Sequence, residues 1–377
     1  MRSAPLIPQY SELLWPTLQA VRDIGDSGTI GEIVEKVIEL ERFTEEQQAF
    51  GLLARKVATD ISPSGDSERD RFEVGPDAHK LLSETGLLGL LIPEDQGGSG
   101  ATLIEGAILA EELGRALAPA SVTSSALISP AALPLICDVS HRNEVATAIA
   151  QGQFCSVVVG SDLTWPPQGD GFAWGWQLNA IVLEPGAEGL LPAREDKRTA
   201  TITQDLTLSI ASVGPLTLLM EDVINSEAAQ HFQATANVIA SCLLLGCMRA
   251  ALELAVSYAK EREQFGAKIG TFQAIKHICA DMLVDVESSH SIAYGAAAML
   301  THSSEPLTAI RSAAIAKSWC GDAAVRVCES AVQVYGGIGF TWECPVHRYL
   351  RAAFALRSSF MNTAQSLDLI SRLDQWI

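Results

Sequence analysis

Three groups of residues have side chains and spacing suited to chemistry. The first is Arg262 in "EREQFG", followed by Phe265 and Gly266, with Gln273 eleven residues on. A guanidinium near a helix end can grip a pyrophosphate through paired hydrogen bonds, and a phenyl ring beside it can cover an aromatic system. The second group is Gln333, Gly336 and Gly337 in "VQVYGGIGF". Glycines that close a helix let backbone amides approach a phosphate with no Cβ in the way. Both groups also have plain readings, a surface charge and a helix cap. The third is the stretch "VQVYGGIGFTWECPVHRYLRAAFALRSSFMNT", from Val332 to Thr363, where an acid or base would be sought. It holds one carboxylate, Glu343, eight residues beyond Tyr335. Its setting suits a cap or an ion-pair partner for Arg348 or Arg351.

Other chemistries lack their signatures. The seven histidines show no HxxxH or HExxH spacing, which argues against zinc. There is no GxSxG nucleophile elbow. Gly337-Ile-Gly339 lacks the third glycine of a dinucleotide fingerprint and follows a helix pattern rather than a strand. The eight cysteines are scattered with no CxxC pair, which suits reduced, buried thiols in a cytoplasmic protein. The formal charge of −19 opposes binding to nucleic acid or anionic membranes. No apolar run reaches the roughly 18 residues of a membrane span, and the opening "MRSAPLIPQYSELLWP" does not read as a signal peptide.

The elements that must position these groups follow from composition and period. A chain of 377 residues, 48% hydrophobic and 19% charged, folds around a large core. Residues 1–42 read as a helical extension with two short helices, roughly 10–22 and one opened by Thr29 with Glu32 as its capping box. Residues 43–150 read as an amino-terminal helical domain. Thr44 and Gln47 open its first helix, and "GLLGLLIPEDQGGSG" interrupts it with turn residues. Residues 151–226 hold short β-branched and aromatic runs between Gly, Pro and Asp, the chemistry of strands.

Residues 227–377 turn helical again. "NVIASCLLLGCMRAALELAV" is apolar nearly all round, as a central helix would be. Phe272, Ile275, Cys279, Met282 and Val286 form one helical stripe. Ala313, Ala316, Cys320, Ala324, Val327, Ala331 and Val334 form another. Each stripe should bury one face of a long helix. The fold class is α+β, mainly α: a helical domain, a small middle β-domain and a carboxy-terminal four-helix bundle.

From residue 43 onward the chain resembles the acyl-CoA dehydrogenase family. "LLSETGLLGLLIPEDQGGSGAT", "AEELGRALAP", "YAKEREQFGAKIGTFQAIKHICADM" and "QVYGGIGFTWECPVHRYLRAA" carry the resemblance. It implies FAD as cofactor and α,β-dehydrogenation of acyl-CoA thioesters, in fatty-acid or sterol side-chain degradation. An electron-transfer flavoprotein or similar acceptor takes the electrons. It implies that Arg262, Phe265, Gln273, Gln333, Gly336 and Gly337 bind FAD, often that of a neighbouring subunit, with Thr363 on the flavin side.

The resemblance also implies a glutamate base, and here the chain departs. Counting from "GGIGF" puts Phe360 in the usual glutamate position; anchoring on Thr363 puts Met361 there. The alternative position, on the central helix, falls at Ala236 and Asn237. None of these is an acid. The β region is short, and "VVVGSDLTWPPQGDGF" keeps only fragments of the family's flavin-covering stretch. Such a chain resembles actinobacterial-type subunits that work as one half of a mixed complex, with the base on a second dehydrogenase chain. An active homomeric enzyme with another base, and a regulatory protein reusing the fold, stand as alternatives. Residues 7–42 also resemble the amino-terminal segment of Mrr-type restriction proteins. Four Lys/Arg against seven Asp/Glu in residues 1–42 argue against DNA binding and favour a packed helical extension.

Overall fold

The computed structural model describes residues 43–62, 74–160, 162–167, 170–186, 188–193, 200–202, 205, 207–215, 221–224 and 226–374. The helices expected within residues 7–42 lie outside these. The chain divides into two compact units, 1–53 and 54–377, with helix α1 (Glu45–Ile61) running across the division. In the first unit Thr44 and Gln47 form the reciprocal cap that their spacing predicts. Thr44 Oγ1 accepts from the Gln47 amide at 3.2 Å and Gln47 Oε1 from the Thr44 amide at 3.1 Å.

In the second unit α2 (Pro76–Thr85) ends on Gly86, whose φ of 67° suits only a residue free of a Cβ clash. The turn that follows delivers the chain to α3 (Leu103–Ala116), opened by a capping box of Thr102 and Glu105. Next come α4 (Ala120–Leu135), with a π turn at Ser124–Ile128, and α5 (Val139–Ala150). Six strands follow: β1 (Cys155–Gly160), β2 (Asp170–Trp174), β3 (Ile181–Gly186), β4 (Gly189–Ala193), β5 (Ala200–Ile202) and β6 (Ser209–Pro215). They form one sheet in the order β4-β3-β1-β2-β6-β5, in which β1 and β3 are parallel and the other pairs antiparallel. Val158, Ala173, Trp176, Val182 and Ala211 make a small core on it.

The last part is helical. Ser226 caps α6 (Glu227–Glu261), a helix of 35 residues. Every residue from Ala234 to Met248 is buried, as the all-round apolar pattern requires. Its most apolar window would suit a membrane by composition, yet 78% of that window is buried inside the protein. Gly246 of α6 faces Glu111 of α3, and Gly114 of α3 faces Leu243 of α6. A Cβ on either glycine would overlap the opposing backbone, so these two helices cross at backbone distance.

A two-strand hairpin, β7 (Glu263–Gln264) and β8 (Ala267–Lys268), then leads to α7 (Gln273–His302) and α8 (Pro306–Tyr335). Two shorter helices close the chain, α9 (Val346–Ser358) and α10 (Thr363–Asp374). The α8 stripe is buried along its whole length. The α7 stripe is not. Met282 and Val286 are buried, but Phe272 is exposed and Ile275 and Cys279 are only half-covered. Periodicity reports an apolar face; it does not say that the same chain covers it.

Candidate functional site

The residues singled out by sequence fall into two places. The first is a cavity of about 460 Å³ near the amino-terminal end of α6. Gln230, Gln233, Ala234 and Asn237 reach it from one face of α6, at intervals of three and four. Gln365, Asp368, Leu369 and Arg372 do the same from α10. Trp165 and Met361 complete its inner wall, and Leu307 and Ile310 come from the start of α8.

Both candidate positions for a base meet here. The Asn237 Nδ2 donates toward the Met361 Sδ at 3.5 Å, and both residues are buried. Phe360 does not line the cavity. Its ring lies 5.1 Å from that of Trp174, with 0% exposure. The turn that holds it is tied down on both sides. The Phe360 amide donates to the Leu163 carbonyl at 2.7 Å, and the Trp165 amide donates to the Phe360 carbonyl at 2.8 Å. Trp174 Nε1 donates to Ser359 Oγ at 3.2 Å. Among the cavity's lining residues the one carboxylate is Asp368, exposed and paired with Arg372 at 3.0 Å.

Thr363 starts α10 beside this turn, and its Oγ1 donates to Asp322 Oδ1 at 3.3 Å. Behind the turn sits Lys317, a buried residue that sequence reading passed over. Its Nζ donates to the Leu356 and Arg357 carbonyls at 2.9 and 2.7 Å, the last turn of α9. Burial pushes its ammonium down to about 7. An amphipathic stripe interrupted by one lysine was the available signal.

The second place is the opposite end of the bundle. Tyr258 of α6 stacks on Tyr335 of α8 with ring centroids 4.2 Å apart, and Tyr335 OH donates to the Leu254 carbonyl. That contact brings the ends of the two helices together. Arg262 is the carboxy-terminal cap of α6, exposed, and its guanidinium makes no ion pair among the described residues. Phe265 and Gly266 form the tip of the hairpin, both at positive φ (55° and 78°), a two-residue turn that fits strand twist. Phe265 stands 94% exposed there. Gln273 opens α7 with its amide 3.2 Å from the His277 ring, and Gln333 is exposed on the last turn of α8. Gly336 caps α8 at φ 65°, ψ −144°, a conformation essentially restricted to glycine. A Cβ on Gly336 or Gly337 would meet nothing within 4 Å, so both face open space.

The two places are far apart. Asn237 and Arg262 are 25 positions apart on one helix, which spans roughly 38 Å at 1.5 Å per residue. Asp322, beside Thr363, and Gly336 are 14 positions apart on α8, about 21 Å. Thr363 therefore belongs with the cavity and not with Arg262.

Glu343 departs from its expected role. It is exposed and forms no ion pair among the described residues; Arg351 stacks over the Trp342 ring at 5.4 Å and Arg348 Nη2 donates to the Trp342 carbonyl. The aromatic residue before the glutamate takes both cations. A buried ionic group lies elsewhere, where α3, α6 and α7 meet. Glu111 Oε1 is 2.6 Å from Arg249 Nε, and Tyr294 OH donates to Glu111 Oε2 at 2.7 Å. Burial alone would push the Glu111 carboxyl up, but Arg249, His290 and Tyr294 outweigh it and hold it below the ordinary range.

Comparison with known proteins identifies the fold and its lineage. Residues 44–143 match the family model of the acyl-CoA dehydrogenase N-terminal domain, and residues 229–359 that of the C-terminal domain. Acyl-CoA dehydrogenase IpdE2 of Mycolicibacterium smegmatis is 32% identical over 306 residues, covering 80% of this chain and 89% of that protein. FadE34 of Mycobacterium tuberculosis is 31% identical over 78% of this chain, which spans only 41% of FadE34's length. The chain belongs to the acyl-CoA dehydrogenase family.

Solved structures agree on the fold. The ChsE4–ChsE5 complex from Mycobacterium tuberculosis superposes with a TM-score of 0.69 at 20% identity, over 89% of this chain and 97% of that one. Butyryl-CoA dehydrogenase from Megasphaera elsdenii gives 0.69 at 21%, over 89% and 99%. A FAD complex of PigA gives 0.69 at 16%, over 88% and 98%. FAD is the cofactor of this family.

The residues present fit FAD unevenly. The outer edge fits: an exposed guanidinium, an exposed ring, two amides and a glycine pair with open space before it. The cavity end offers no charged partner for a pyrophosphate beyond Arg372, which Asp368 already engages.

Proposed function

We propose that this chain is the base-lacking subunit of a heteromeric acyl-CoA dehydrogenase. The observation that carries the proposal is the contact between Asn237 and Met361. The two positions where a base would stand close on each other, and neither side chain accepts a proton in the working range. Bound FAD supplies hydride acceptance at the β-carbon of an acyl-CoA thioester. In this reading the chain's own contribution is the exposed edge. Arg262 grips the pyrophosphate of a FAD held by the second chain, Phe265 covers a ring of it, and Gln273, Gln333 and the Gly336–Gly337 amides complete the contact. The second chain brings the glutamate. A single helix separates edge and cavity by roughly 38 Å, longer than an extended dinucleotide, so the edge serves a cofactor seated in another chain. The uncovered start of the α7 stripe, Phe272, Ile275 and Cys279, supports a partner on that side. Neighbours of the same fold include complexes of two chains, ChsE4–ChsE5 and the steroid dehydrogenase Tcur3481–Tcur3483. The complex would act in the cytoplasm on acyl-CoA, of fatty-acid or sterol side-chain type, and pass electrons to an electron-transfer flavoprotein or similar acceptor.

The test is expression of the chain alone and with any dehydrogenase chain encoded beside it, followed by a flavin spectrum and turnover with an artificial acceptor. Loss of a general base costs a factor of roughly 10² to 10⁴, so the chain alone should show little turnover even with added FAD. The pair should be active as a dimer or dimer of dimers. A Glu→Gln change of the partner's base should abolish the activity. Robust turnover by this chain alone, lost on changing a local acid such as Glu343, would overturn the proposal.

A further inference from the structure

The exposed edge comes in two halves, on two helices. Arg262 ends α6, while Gly336 and Gly337 follow α8. No single element carries both, so something must fix one half against the other. Two rings stand between them. Tyr258 of α6 and Tyr335 of α8 lie face to face, with centroids 4.2 Å apart and planes 14° from parallel. Each tyrosine is tied to its own half of the edge. The Tyr258 carbonyl accepts from the Arg262 amide at 2.8 Å, and Tyr335 directly precedes Gly336.

Further contacts fix Tyr335 in register with α6. Its hydroxyl donates to the Leu254 carbonyl at 3.2 Å, one turn before Tyr258. The turn after α8 curls back onto it: a Cβ on Gly339 would stand 3.1 Å from the Tyr335 Cβ and 3.0 Å from the Val332 carbonyl oxygen. The other half is held as closely. A Cβ on Gly270 would stand 2.8 Å from the Ala259 carbonyl oxygen, so the turn after β8 lies at backbone distance from the end of α6. Both tyrosines are half-buried. Two leucines would cover a similar area but would let α8 slide along α6. A stacked pair anchored by a hydroxyl prefers one offset. That offset matters for a ligand held from both sides, because a displacement of about 1 Å is enough to spoil a two-point guanidinium contact.

We propose, resting on the half-site reading of this edge, that Tyr335 stacked on Tyr258 is a positioning residue. It sets the register of α8 against α6 so that Arg262 and the Gly336–Gly337 amides meet one pyrophosphate. A tyrosine pair that only packed would stabilise the chain and leave cofactor affinity alone.

The experiment is a double-mutant cycle on the FAD-loaded complex, read as FAD retained on dilution, with the thermal midpoint of the isolated chain measured beside it. Tyr335→Leu should lower retention roughly ten-fold. Tyr335→Phe keeps the stack and should stay within about three-fold of the parent. Combining Tyr335→Leu with Arg262→Ala should lower retention little further than Arg262→Ala does, because the tyrosine acts through the arginine. Tyr258→Leu removes the stack from the other side and should match Tyr335→Leu, which keeps the test alive if that variant fails to fold. Additive losses overturn the proposal, since the tyrosine then acts on the fold alone. So does a fall in thermal midpoint with retention unchanged. If Arg262→Ala lowers retention and neither leucine variant does, the cofactor edge stands and its positioning by the tyrosines falls. If Arg262→Ala changes nothing, the edge is not a cofactor site and the positioning role falls with it.

Discussion

The two ends of α6 have been treated differently by the same sequence. At the Asn237 end the side chains are buried, mostly apolar and closely tied. Phe360 packs on Trp174, Met361 touches Asn237, and Ser359 receives a bond from Trp174. At the Arg262 end they are exposed and largely unengaged, and one of them, Phe265, holds a left-handed conformation unfavourable for a bulky residue. Folding of this chain alone explains the first end. It does not explain the second, where an aromatic ring in solvent at positive φ costs about 1 kcal/mol or more and, among the described residues, the ring contact is a single edge-on one to Phe272 at 6.3 Å. Features that folding does not explain belong to binding. An interior position can lose its acid and be refilled by packing, whereas an edge that serves another molecule keeps its chemistry only if that molecule is there.

The largest effect should come from loosening the middle of α6, which would disturb both ends together. Glu111→Leu takes from Arg249 its 2.6 Å partner and leaves Glu287 at 3.8 Å, and breaking a buried pair from one side costs about 3–5 kcal/mol. The urea midpoint of the chain should fall accordingly, with flavin retention by the complex falling in parallel. A midpoint shift worth less than about 1 kcal/mol would mean that solvent or the neighbouring carboxylate of Glu287, 3.8 Å from Arg249 Nη1, takes over the pairing.

Next is the open end by itself. Arg262→Ala removes a charge-assisted, two-point contact of about 1.5–3 kcal/mol. FAD retention by the assembled complex should drop ten-fold or more on dilution, while the thermal midpoint of the isolated chain stays unchanged, because the Arg262 guanidinium has no partner among the described residues and its backbone bonds survive the change. Arg262→Lys should recover only part of the loss, since an ammonium cannot make the paired contact. Unchanged occupancy in the alanine variant removes this edge from the cofactor site.

The closed end has a matching probe in Lys317, whose bonds to α9 fix the start of the Ser359–Met361 turn. Its folded value of about 7 lies below the ordinary 10.5. Between these values the unfolded chain binds more protons, so the chain's stability rises with pH, by up to about 1.4 kcal/mol per unit. Below about pH 7 the group is protonated in both states and adds no slope. Lys317→Met should flatten the rise between pH 7 and 8.5; the buried thiols, raised in the folded chain by burial, work against that rise as they begin to ionise in the unfolded chain toward the top of the window. Flavin retention at the far edge should be unaffected. An unaltered slope would place the titration elsewhere.

What the sequence could disclose divides along the same line. The cap at Thr44 and Gln47, the α8 stripe and the all-buried α6 are local or periodic patterns, and each was readable from types and spacing. The glycine end of α8 was readable for the same reason. The meeting of Met361 with Asn237 was not, because it depends on how α6 and the turn after α9 pack across 124 positions of chain. Nor was the orientation of Phe360. Counting residues places it in the glutamate position, but its positive φ (65°) turns it under the loop and leaves Met361 facing the cavity. The role of Glu343 failed on a local competitor, Trp342, whose ring and carbonyl engage the arginines first. The exposed start of the α7 stripe shows a further limit, since an apolar face reads the same whether its cover is this chain or another.

The smallest expected effect is also the cleanest separation of folding from binding, and it sits on Phe265. Phe265→Gly removes a residue that is 94% exposed and packs only edge-on, 6.3 Å between centroids, against Phe272. Glycine adopts φ 55° without the steric cost that phenylalanine meets. The hairpin turn keeps its geometry, and the loss of an exposed ring contact is worth only tenths of a kcal/mol. The added backbone freedom of glycine in the unfolded chain works in the opposite direction by a similar amount. The isolated chain should therefore unfold within about 0.5 kcal/mol of the parent in urea. The complex should nonetheless release FAD several-fold faster, because the ring covering the cofactor is gone. If the isolated chain is instead clearly destabilised, Phe265 is part of the fold and the contrast between the two ends of α6 fails at that residue. If neither stability nor flavin release changes, the exposed ring serves neither end of the comparison, and the cofactor edge contracts to Arg262, the glutamines and the glycine pair.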